Sequence, residues 1–476
     1  MQTLQKKSFK WNQFCLAALT EIKNKVTKKL NKSNGNSIIN GFQIKIFNDD
    51  NKVTNSFDEE ITRIKGDIPI DLDISKGSRF LFISFDQSKF SNGIHKYPAK
   101  FFPELPRWVI KRFSKEQDLV LDPFTGSGTT NVEALLLKRH STGIDVDPFA
   151  RFLTKVKVTP LDSAELIFFQ KKLLKLALDY HPSKVKDKDI PKFPYMEQWF
   201  KGGITLELAY LIKSIEALDC NQEIRNFYKV CFSSIIRSVS NADDNCTRTV
   251  IRERLNKQVN PCDALKKFAE AILINVPRMI EFSNIVPKKI KVIIPNDMDA
   301  RNMNLKTGTV DLAVTSPPYV NAVDYPRTHQ LESYWLGLAN GSLAQLKKEH
   351  IGTESVSVRE YCKLHKIGID EADAVIKLIF LQDPRRAYIA YKYLYDMKQN
   401  LIETYRVLKK GGNYIIVVGN NRIRNHLFEN WKYIKSLAEI IGFKVETYFA
   451  SEIIRHFIKV PREERINTDW VLVLRK

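Results

Sequence analysis

Cysteine is scarce in this sequence, and its spacing argues against the usual cysteine-based sites. Six cysteines are spread over 476 residues, and no two stand in the CxxC spacing that zinc sites use. The same scatter gives no sign of a disulfide framework. Isolated thiols of this kind are typical of a reducing compartment, so we expect a cytoplasmic protein.

Long apolar runs are also missing. No stretch approaches the roughly 18–20 apolar residues that are needed to cross a bilayer. The basic segment at residues 1–14 is not followed by the apolar core and cleavage site of a secretory signal. We therefore expect no membrane partner. With 43% hydrophobic and 27% charged residues, the composition is that of a folded globular protein.

Negative charge is scarce relative to positive charge. Seventy-five Lys and Arg residues oppose fifty-four Asp and Glu residues, which gives a formal net charge of +21. Such an excess attracts polyanions through electrostatics that do not depend on base sequence. A lysine-rich solubility surface is the alternative, but nucleic acid is the expected partner.

A β/α pattern begins near residue 95. A short apolar run at Asp118–Asp122 precedes a Gly-rich turn, a helix with Val132 and Leu135 on one face, and a strand at His140–Asp145. This order forms a βαβ unit, which implies a parallel sheet. Further strands are predicted at Lys291–Ile294, Val310–Val314, Tyr414–Val418, Phe443–Tyr448 and Trp470–Leu474.

The pattern divides the chain into three parts. Residues 1–85 form a small N-terminal accessory domain, a candidate for DNA contact, with short strands predicted at Gly41–Phe47 and Phe80–Phe85. Residues 86–160 and 285–476 carry the β/α pattern and form the catalytic domain. Residues 160–285 form a helical insert dense in Lys and Leu.

The Gly-rich turn reads DPFTGSGTT over residues 122–130. Gly126 and Gly128 let the backbone adopt positive φ and pass close to a ligand, and the hydroxyl residues can cap the helix that follows. The turn lacks the GK[ST] of a phosphate loop. Asn131 stands where a pyrophosphate turn has its third glycine, so an adenosyl ligand is favoured, with a turn that serves only packing as the alternative.

A second segment, TSPPY at residues 315–319, follows the strand at Val310–Val314. Ligand sites of open α/β sheets lie at such strand ends. Two consecutive prolines end the strand and fix a rigid turn whose carbonyl groups can accept hydrogen bonds. Ser316 adds another acceptor, and Tyr319 adds an aromatic face. Acceptors in this arrangement can hold an amine and stabilise positive charge as it develops.

Together, the two strings resemble the amino-methylating DNA methyltransferases, which modify cytosine N4 or adenine N6. DPFTGSGTT is similar to their motif I and TSPPY to their motif IV. The resemblance implies a doubly wound, Rossmann-like α/β fold and S-adenosylmethionine as cofactor. It implies that the methionine part of the cofactor is surrounded by Asp122, Phe124, Gly126 and Gly128. It also implies that Asp145 accepts hydrogen bonds from the ribose hydroxyls, with Asp147 as the alternative.

Two further segments extend the resemblance. His95–Phe101 resembles motif X, where Lys100 is the matching position for the cofactor pocket, although Pro98 and Phe101 depart from the family spelling. Asn296–Ala300 resembles motif III, in which an acidic residue lies near the adenine amine. The resemblance implies this role for Asp297, and Asp299 fits the pattern as well.

The resemblance gives the TSPPY segment its role. Ser316, Pro317 and Pro318 would orient the base amine in line with the sulfonium methyl group, and Tyr319 would stack on the flipped base. No covalent intermediate and no metal are expected. Ser at position 316 favours cytosine N4, because SPPY is commonest among cytosine-N4 enzymes, and adenine N6 is the alternative.

The sequence therefore predicts a site-specific methyltransferase that acts on double-stranded DNA in a bacterium or archaeon, within a restriction-modification system. A separately encoded restriction endonuclease is a possible partner. A non-catalytic subunit that binds DNA and cofactor is the alternative from another class, and structured RNA is a further substrate to consider.

Both 160–285 and 325–385 are candidates for the target recognition region; the second includes Arg327 and His329, residue types suited to phosphate contacts. The recognised DNA sequence and the oligomeric state are left open.

Overall fold

The computed structural model describes residues 52–54, 60–287, 289–320, 323–339, 343–453 and 468–476. The strand predicted at Gly41–Phe47 lies outside these residues. Among the described residues, no helix is both long enough and apolar enough to cross a membrane.

Twelve strands are present in the part of the chain that the structure describes. In chain order they are β1 (Lys52–Thr54), β2 (Glu60–Lys65), β3 (Arg79–Ile83), β4 (Leu119–Asp122), β5 (His140–Gly143), β6 (Val292–Ile293), β7 (Val310–Thr315), β8 (Leu408–Gly419), β9 (Asn421–Ile423), β10 (His426–Phe428), β11 (Lys444–Glu452) and β12 (Thr468–Arg475). Ten of them form one large sheet, and β9 pairs with β10 in a separate hairpin.

The α-helices of the described residues surround this sheet. They are α1 (Glu104–Phe113), α2 (Thr129–Leu136), α3 (Pro148–Val158), α4 (Ser163–Leu178), α5 (Met196–Trp199), α6 (Gly202–Glu216), α7 (Gln222–Ile236), α8 (Asp263–Ile285), α9 (Tyr325–Thr328), α10 (Gln330–Trp335), α11 (Leu343–Glu349), α12 (Val358–Tyr361), α13 (Asp370–Gln382), α14 (Pro384–Val407) and α15 (Asn430–Ile441).

The strand order of the large sheet is β1-β2-β3-β11-β12-β8-β7-β4-β5-β6. From β4 the chain proceeds outward through β5 to β6, whereas from β7 it proceeds in the opposite direction to β8. These five strands are parallel. The order therefore reverses between β4 and β7, which is where an open α/β sheet forms its ligand crevice.

One strand in the middle of the sheet runs against its two neighbours. β12 is antiparallel to both β8 and β11, between which it is inserted. The first residues of β12 therefore lie at the same edge of the sheet as the carboxyl ends of β7 and β8. Asp469, near the start of β12, pairs with Gly419 at the end of β8.

Alternate residues of the central strands pack on opposite faces of the sheet. Val120 and Val314 face a layer that contains Trp108 of α1, whereas Leu121 and Ala313 face a layer formed by α14 and α15. Helices thus cover both faces, and the predicted doubly wound α/β class is confirmed.

The strands β2 and β3 are hydrogen-bonded into the same sheet, with β3 parallel to β2 and to β11. This part of the predicted N-terminal unit is therefore continuous with the sheet that carries the predicted site. The division of the chain at residues 85, 160 and 285 stays a prediction.

The stretch predicted as a helical insert is helical, from α4 to α8. Its apolar side chains share one core with Val132 of α2 and Leu153 of α3, and this core also includes Trp335 of α10. The insert therefore supports the helices that follow the Gly-rich turn and the TSPPY segment. Thr249 in the insert adds a hydrogen bond of 2.9 Å to the backbone carbonyl of Thr328 in α9.

Candidate functional site

The Gly-rich turn connects the end of β4 to the start of α2. Gly126 and Gly128 have φ angles of +47° and +78°, and Gly128 is the residue that precedes α2. A side chain at Gly128 would place its Cβ 2.6 Å from Thr154 Cγ2, which is a severe overlap. Glycine is therefore required at this position by the approach of α3 as well as by the backbone conformation.

Helix α3 braces the turn from behind. The Thr154 hydroxyl donates to the Gly126 carbonyl at 3.0 Å, and the Lys157 ammonium donates to the Ser127 carbonyl at 2.7 Å. Lys157 is completely buried, and burial holds the pKa of its ammonium well below the usual value. The conformation of the turn is thus fixed by Thr154 and Lys157 of α3. The sequence of the turn alone does not predict these contacts.

Asp145 and Asp147 follow β5 and differ in what they are free to bind. Asp147 caps α3 by accepting from the backbone amides of Phe149 and Ala150 at 2.7 and 3.2 Å. Asp145 accepts one amide on each oxygen, from Gly126 and from Asp147, both at 2.9 Å. Asp145 therefore links the two turns at the sheet edge and keeps a second lone pair on each oxygen. Burial, and then the charge of Asp147, raise the pKa of Asp145 to about 6.

The TSPPY segment begins at the end of β7, beside the end of β4. The Thr315 hydroxyl donates to Asp122 Oδ1 at 2.7 Å, and the Phe124 amide donates to the same oxygen at 3.1 Å. Asp122 is buried, and burial raises its pKa to about 6. The two predicted motifs are therefore joined directly at the point where the strand order reverses.

A cleft with about 850 Å³ of empty space, part of it open to solvent, lies over this junction. It brings together seven of the residues singled out from the sequence, namely Lys100, Asp122, Phe124, Gly126, Asp145, Ser316 and Pro318. A shallower depression adjoins the cleft and shares Val146, Asp299 and Glu349 with it. Asp297 lines this depression and not the cleft itself.

Three other predicted residues lie beside the cleft without lining it. Gly128 faces α3, and Pro317 is buried in the turn. The Tyr319 hydroxyl donates to Asp469 Oδ1 at 2.6 Å, and burial raises the pKa of Asp469 to about 6. The ring of Tyr319 is thereby tied to the antiparallel strand β12.

Lys100 is held by backbone oxygen atoms. Its ammonium donates to the carbonyls of Gln87 and Asn92, each at 2.6 Å. Burial lowers its pKa to about 8. The residue thus fixes the backbone of the segment that precedes α1 while its side chain contributes to the wall of the cleft.

Comparisons with known proteins show which sequences the chain is similar to. A family model described as DNA methylase matches residues 5–154. The type II methyltransferase M.MvaI of Kocuria varians is 25% identical over 374 residues, which is 74% of this chain and 82% of that protein. The type II methyltransferase M.MjaII of Methanocaldococcus jannaschii is 23% identical over 418 residues, or 70% of this chain and 76% of that protein. Residues 5–154 thus match a DNA methylase family model, and the chain is similar to type II DNA methyltransferases over most of its length.

Solved structures also align with this methyltransferase. An S-adenosylmethionine-dependent methyltransferase of Methanosarcina mazei aligns over 80% of this chain and 98% of its own, with 10% identity and a TM-score of 0.27. A DNA modification methylase of Thermus thermophilus in complex with S-adenosylmethionine aligns over 38% of this chain and 53% of its own, with 18% identity and a TM-score of 0.20.

The cleft of the methyltransferase contains residues that the motifs do not single out. Arg301 forms a fork with Asp299, with Nη2 2.6 Å from Oδ2 and Nε 3.0 Å from Oδ1, and it also donates to the Glu349 carbonyl at 2.8 Å. His350 follows α11 and lines the cleft near Asp147. Neither residue lies in a motif. Arg301 directly follows the segment Asn296–Ala300, whereas His350 comes from a part of the chain distant in sequence from the other cleft residues.

Aromatic rings extend from the cleft into the core of the methyltransferase. Tyr325 stacks on Tyr97 with centroids 5.7 Å apart, and His329 is sandwiched between Tyr97 at 4.9 Å and Phe149 at 4.7 Å. The expectation that His329 could contact phosphate is wrong. Its side chain is 3% exposed, and burial lowers its pKa to about 3, so it is a neutral core residue.

Proposed function

We propose that the protein is a cytosine-N4 DNA methyltransferase that uses S-adenosylmethionine. The observation that carries the proposal is the hydrogen bond between Thr315 and Asp122. It joins the Gly-rich turn to the TSPPY segment, so that a cofactor held by the first and a base held by the second would meet in one cleft. The bound cofactor supplies an electrophilic methyl group, and the protein supplies position and charge.

The cleft suits an adenosyl ligand in its chemistry. Asp145 offers unpaired carboxylate lone pairs for ribose hydroxyls. Gly126 allows close approach of a ligand to the turn, and Phe124 contributes an apolar wall. Asp122, Lys100 and Gly128 act in this proposal by holding the turn and the neighbouring wall.

The adjoining depression suits the adenine ring. It continues from the ribose end of the cleft past Val146 and is lined by Met298, with Asp297 at its side. Asp297 can accept a hydrogen bond from the adenine amine in this position. Asp299 is less suited to this task because its carboxylate already binds the Arg301 guanidinium.

The TSPPY segment is proposed as the base site. Ser316 and Pro318 reach the cleft lining, beside the turn that would hold the sulfonium. In this mechanism the Ser316 hydroxyl and the carbonyl groups of the Pro317-Pro318 turn accept hydrogen bonds from the base amine. They hold it in line for attack and stabilise the positive charge that develops on nitrogen. Tyr319, beside the cleft, would stack on the flipped base.

The substrate in this proposal is double-stranded DNA, with a separately encoded restriction endonuclease of the same specificity as a partner. The family match and the net charge of +21 support a DNA substrate. The choice of cytosine over adenine depends on Ser316 and on the resemblance of SPPY to the cytosine-N4 enzymes.

Nucleoside analysis of treated DNA tests the proposal. Unmethylated DNA is incubated with the protein and with cofactor carrying a deuterated methyl group, then digested and analysed by mass spectrometry. We expect deuterated N4-methyldeoxycytidine, and deuterated N6-methyldeoxyadenosine would instead identify an adenine-N6 enzyme. No labelled nucleoside from any DNA, together with measurable cofactor binding, would identify a non-catalytic subunit. Asp145→Asn is the control variant that should reduce labelling.

A further inference from the structure

The imidazole of His350 lines the cleft, and a contact with the preceding helix, α11, sets its orientation. His350 follows α11 directly, and its Nδ1 atom is 2.8 Å from the carbonyl oxygen of Leu346. A carbonyl oxygen only accepts hydrogen bonds, so Nδ1 carries the proton of the ring. The other nitrogen, Nε2, is the one that remains for a contact in the cleft.

Nε2 of His350 is buried and has no hydrogen-bond partner among the described residues. Asp147 Oδ2 lies 3.6 Å from Nε2, which is within ion-pair distance of a protonated imidazole but longer than a hydrogen bond. Buried polar atoms are nearly always hydrogen-bonded in folded proteins, so a buried ring nitrogen that has an ionic contact but no hydrogen bond, in a residue that lines a cleft, indicates a place where a ligand group can bind.

The surroundings of Nε2 define which ligand group fits. Asp147 caps α3 through Oδ1 and has Oδ2 near Nε2, whereas Asp145 keeps free lone pairs on both carboxylate oxygens. Both residues line the cleft together with His350. A hydroxyl group suits this corner because it is both donor and acceptor. One hydroxyl can donate to Asp145, and a neighbouring hydroxyl can pair with Nε2 whether the imidazole is neutral or protonated.

We propose that His350 is a cofactor-binding residue whose Nε2 pairs with a ribose hydroxyl of the adenosyl cofactor, beside the hydroxyl that Asp145 binds. The inference rests on the proposed function, because it assumes an adenosyl ligand in this cleft. It adds a residue from a segment about 200 positions after the motif I turn, outside every motif identified in the sequence.

Two contacts hold α11 at the cleft independently of His350. The Lys347 ammonium lies 2.8 Å from Asp324 Oδ2, at the start of α9, and the Glu349 carbonyl accepts from Arg301 at 2.8 Å. The helix is therefore anchored at both sides, and removal of the imidazole should leave its position unchanged. The same anchors connect the ribose corner to the segment that follows TSPPY.

Equilibrium binding of cofactor analogues tests the proposal. Isothermal titration calorimetry compares S-adenosylhomocysteine with its 2′-deoxy and 3′-deoxy forms, using the full chain and the variant His350→Ala. We expect His350→Ala to weaken binding of S-adenosylhomocysteine about tenfold, as for one lost hydrogen bond. For the deoxy analogue that lacks the partner hydroxyl, the variant and the unmodified protein should bind equally.

Other outcomes have distinct meanings. Equal affinity of both proteins for S-adenosylhomocysteine, or the same loss for all three ligands, overturns the inference, since the first shows no contact and the second shows a structural role only. If the unmodified protein binds none of the ligands, the proposed function fails instead. His350→Gln keeps a polar group at a similar reach and should restore part of the affinity if His350→Ala does not fold. Lys348→Ala, an exposed position on α11, is the matched control and should bind like the unmodified protein.

Discussion

Thr315 and Asp122, 193 residues apart in sequence, are joined by a hydrogen bond of 2.7 Å at the ends of two adjacent parallel strands. Thr315 ends β7 and Asp122 ends β4, and both side chains are buried. The bond fixes the distance between the Gly-rich turn and the TSPPY segment. Whatever binds to one segment is therefore positioned with respect to the other.

Loss of this bond should reduce both stability and methyl transfer. Thr315→Val keeps the shape of the side chain but removes the donor and leaves the buried Asp122 carboxyl with one partner fewer. We expect a loss of about 1–3 kcal/mol in the free energy of unfolding, measured by urea denaturation, together with slower methyl transfer. Thr309→Val is the control, because the Thr309 hydroxyl donates to the exposed Lys306 carbonyl at the other end of β7. Equal stability of the two variants would contradict the importance of the bond.

Gly128 should tolerate substitution less well than Gly126. At Gly128, alanine meets Thr154 at 2.6 Å in addition to a strained backbone, whereas at Gly126 the nearest atom is 3.5 Å away. We expect Gly126→Ala to cost about 1–2 kcal/mol through its positive φ alone, and Gly128→Ala to cost more.

The double variant Gly128→Ala with Thr154→Ala, compared with Thr154→Ala alone, separates the steric part of this cost from the loss of the Thr154 hydrogen bond to Gly126. It removes the overlapping methyl and hydroxyl groups, so it should recover part of the stability and of the cofactor affinity that Gly128→Ala loses. Thermal unfolding and calorimetric binding measure both quantities. A double variant that is no better than Gly128→Ala would show that the contact with Thr154 is not the cause.

Cofactor affinity should fall at low pH as Asp145 becomes protonated. Ribose hydroxyls donate to the ionised carboxylate, so binding favours the deprotonated form. The pKa of Asp145 in the free protein is about 6. Affinity should therefore be constant above about pH 7 and decrease by up to about tenfold per pH unit below pH 6.

Asp145→Asn provides the comparison for the pH profile. The variant should bind the cofactor more weakly at pH 8 and lose most of the pH dependence, because the amide does not titrate in this range. Cofactor affinity measured from pH 5 to pH 8 for both proteins shows whether Asp145 is the group that titrates. A fall of the same size in the variant would assign the titration to another group, of which Asp122, with a pKa also near 6, is the first candidate.

Tyr319 should act through its ring and less through its hydroxyl. Tyr319→Phe removes the contact with Asp469 and keeps the aromatic face, so we expect a small loss of stability and nearly normal methyl transfer. Tyr319→Ala should lower kcat/KM for DNA by about 10- to 100-fold, the range for loss of one base-stacking ring, without changing cofactor affinity. If both variants lose activity equally, Tyr319 acts through its hydroxyl group and the hydrogen bond to Asp469 of β12.

Much of the site could be predicted from the sequence because its parts are local. The turn from β4 to α2, Asp145 after β5 and the TSPPY segment after β7 each follow from a short apolar run and the residues next to it. Parallel strands then bring their carboxyl ends to one edge of the sheet, whatever the length of chain between them.

The remainder depends on contacts that no local pattern encodes. The sequence predicts a close approach of backbone to ligand at Gly128, but it does not predict that Thr154 of α3 lies beside this residue. Asp469 lies 150 residues after its partner Tyr319. His350 reaches the cleft at the end of α11, a short helix with no buried residue among those described, and Arg301 donates to the Glu349 carbonyl of this helix. Such residues become visible only once the fold has positioned them.

The pairing of β3 with β11 has a consequence for synthesis of the chain. Arg79 forms an ion pair with Glu452 at 2.6 Å, 373 residues later, and β3 lies between β2 and β11 in the sheet. During synthesis, β3 can pair with β2 early, but it can pair with β11 only after almost the whole chain has left the ribosome. Contacts so distant in sequence form slowly. Until then the unpaired edge of β3 is open to other chains, so the yield of native protein should depend on chaperones and growth temperature more than on the stability of the finished molecule.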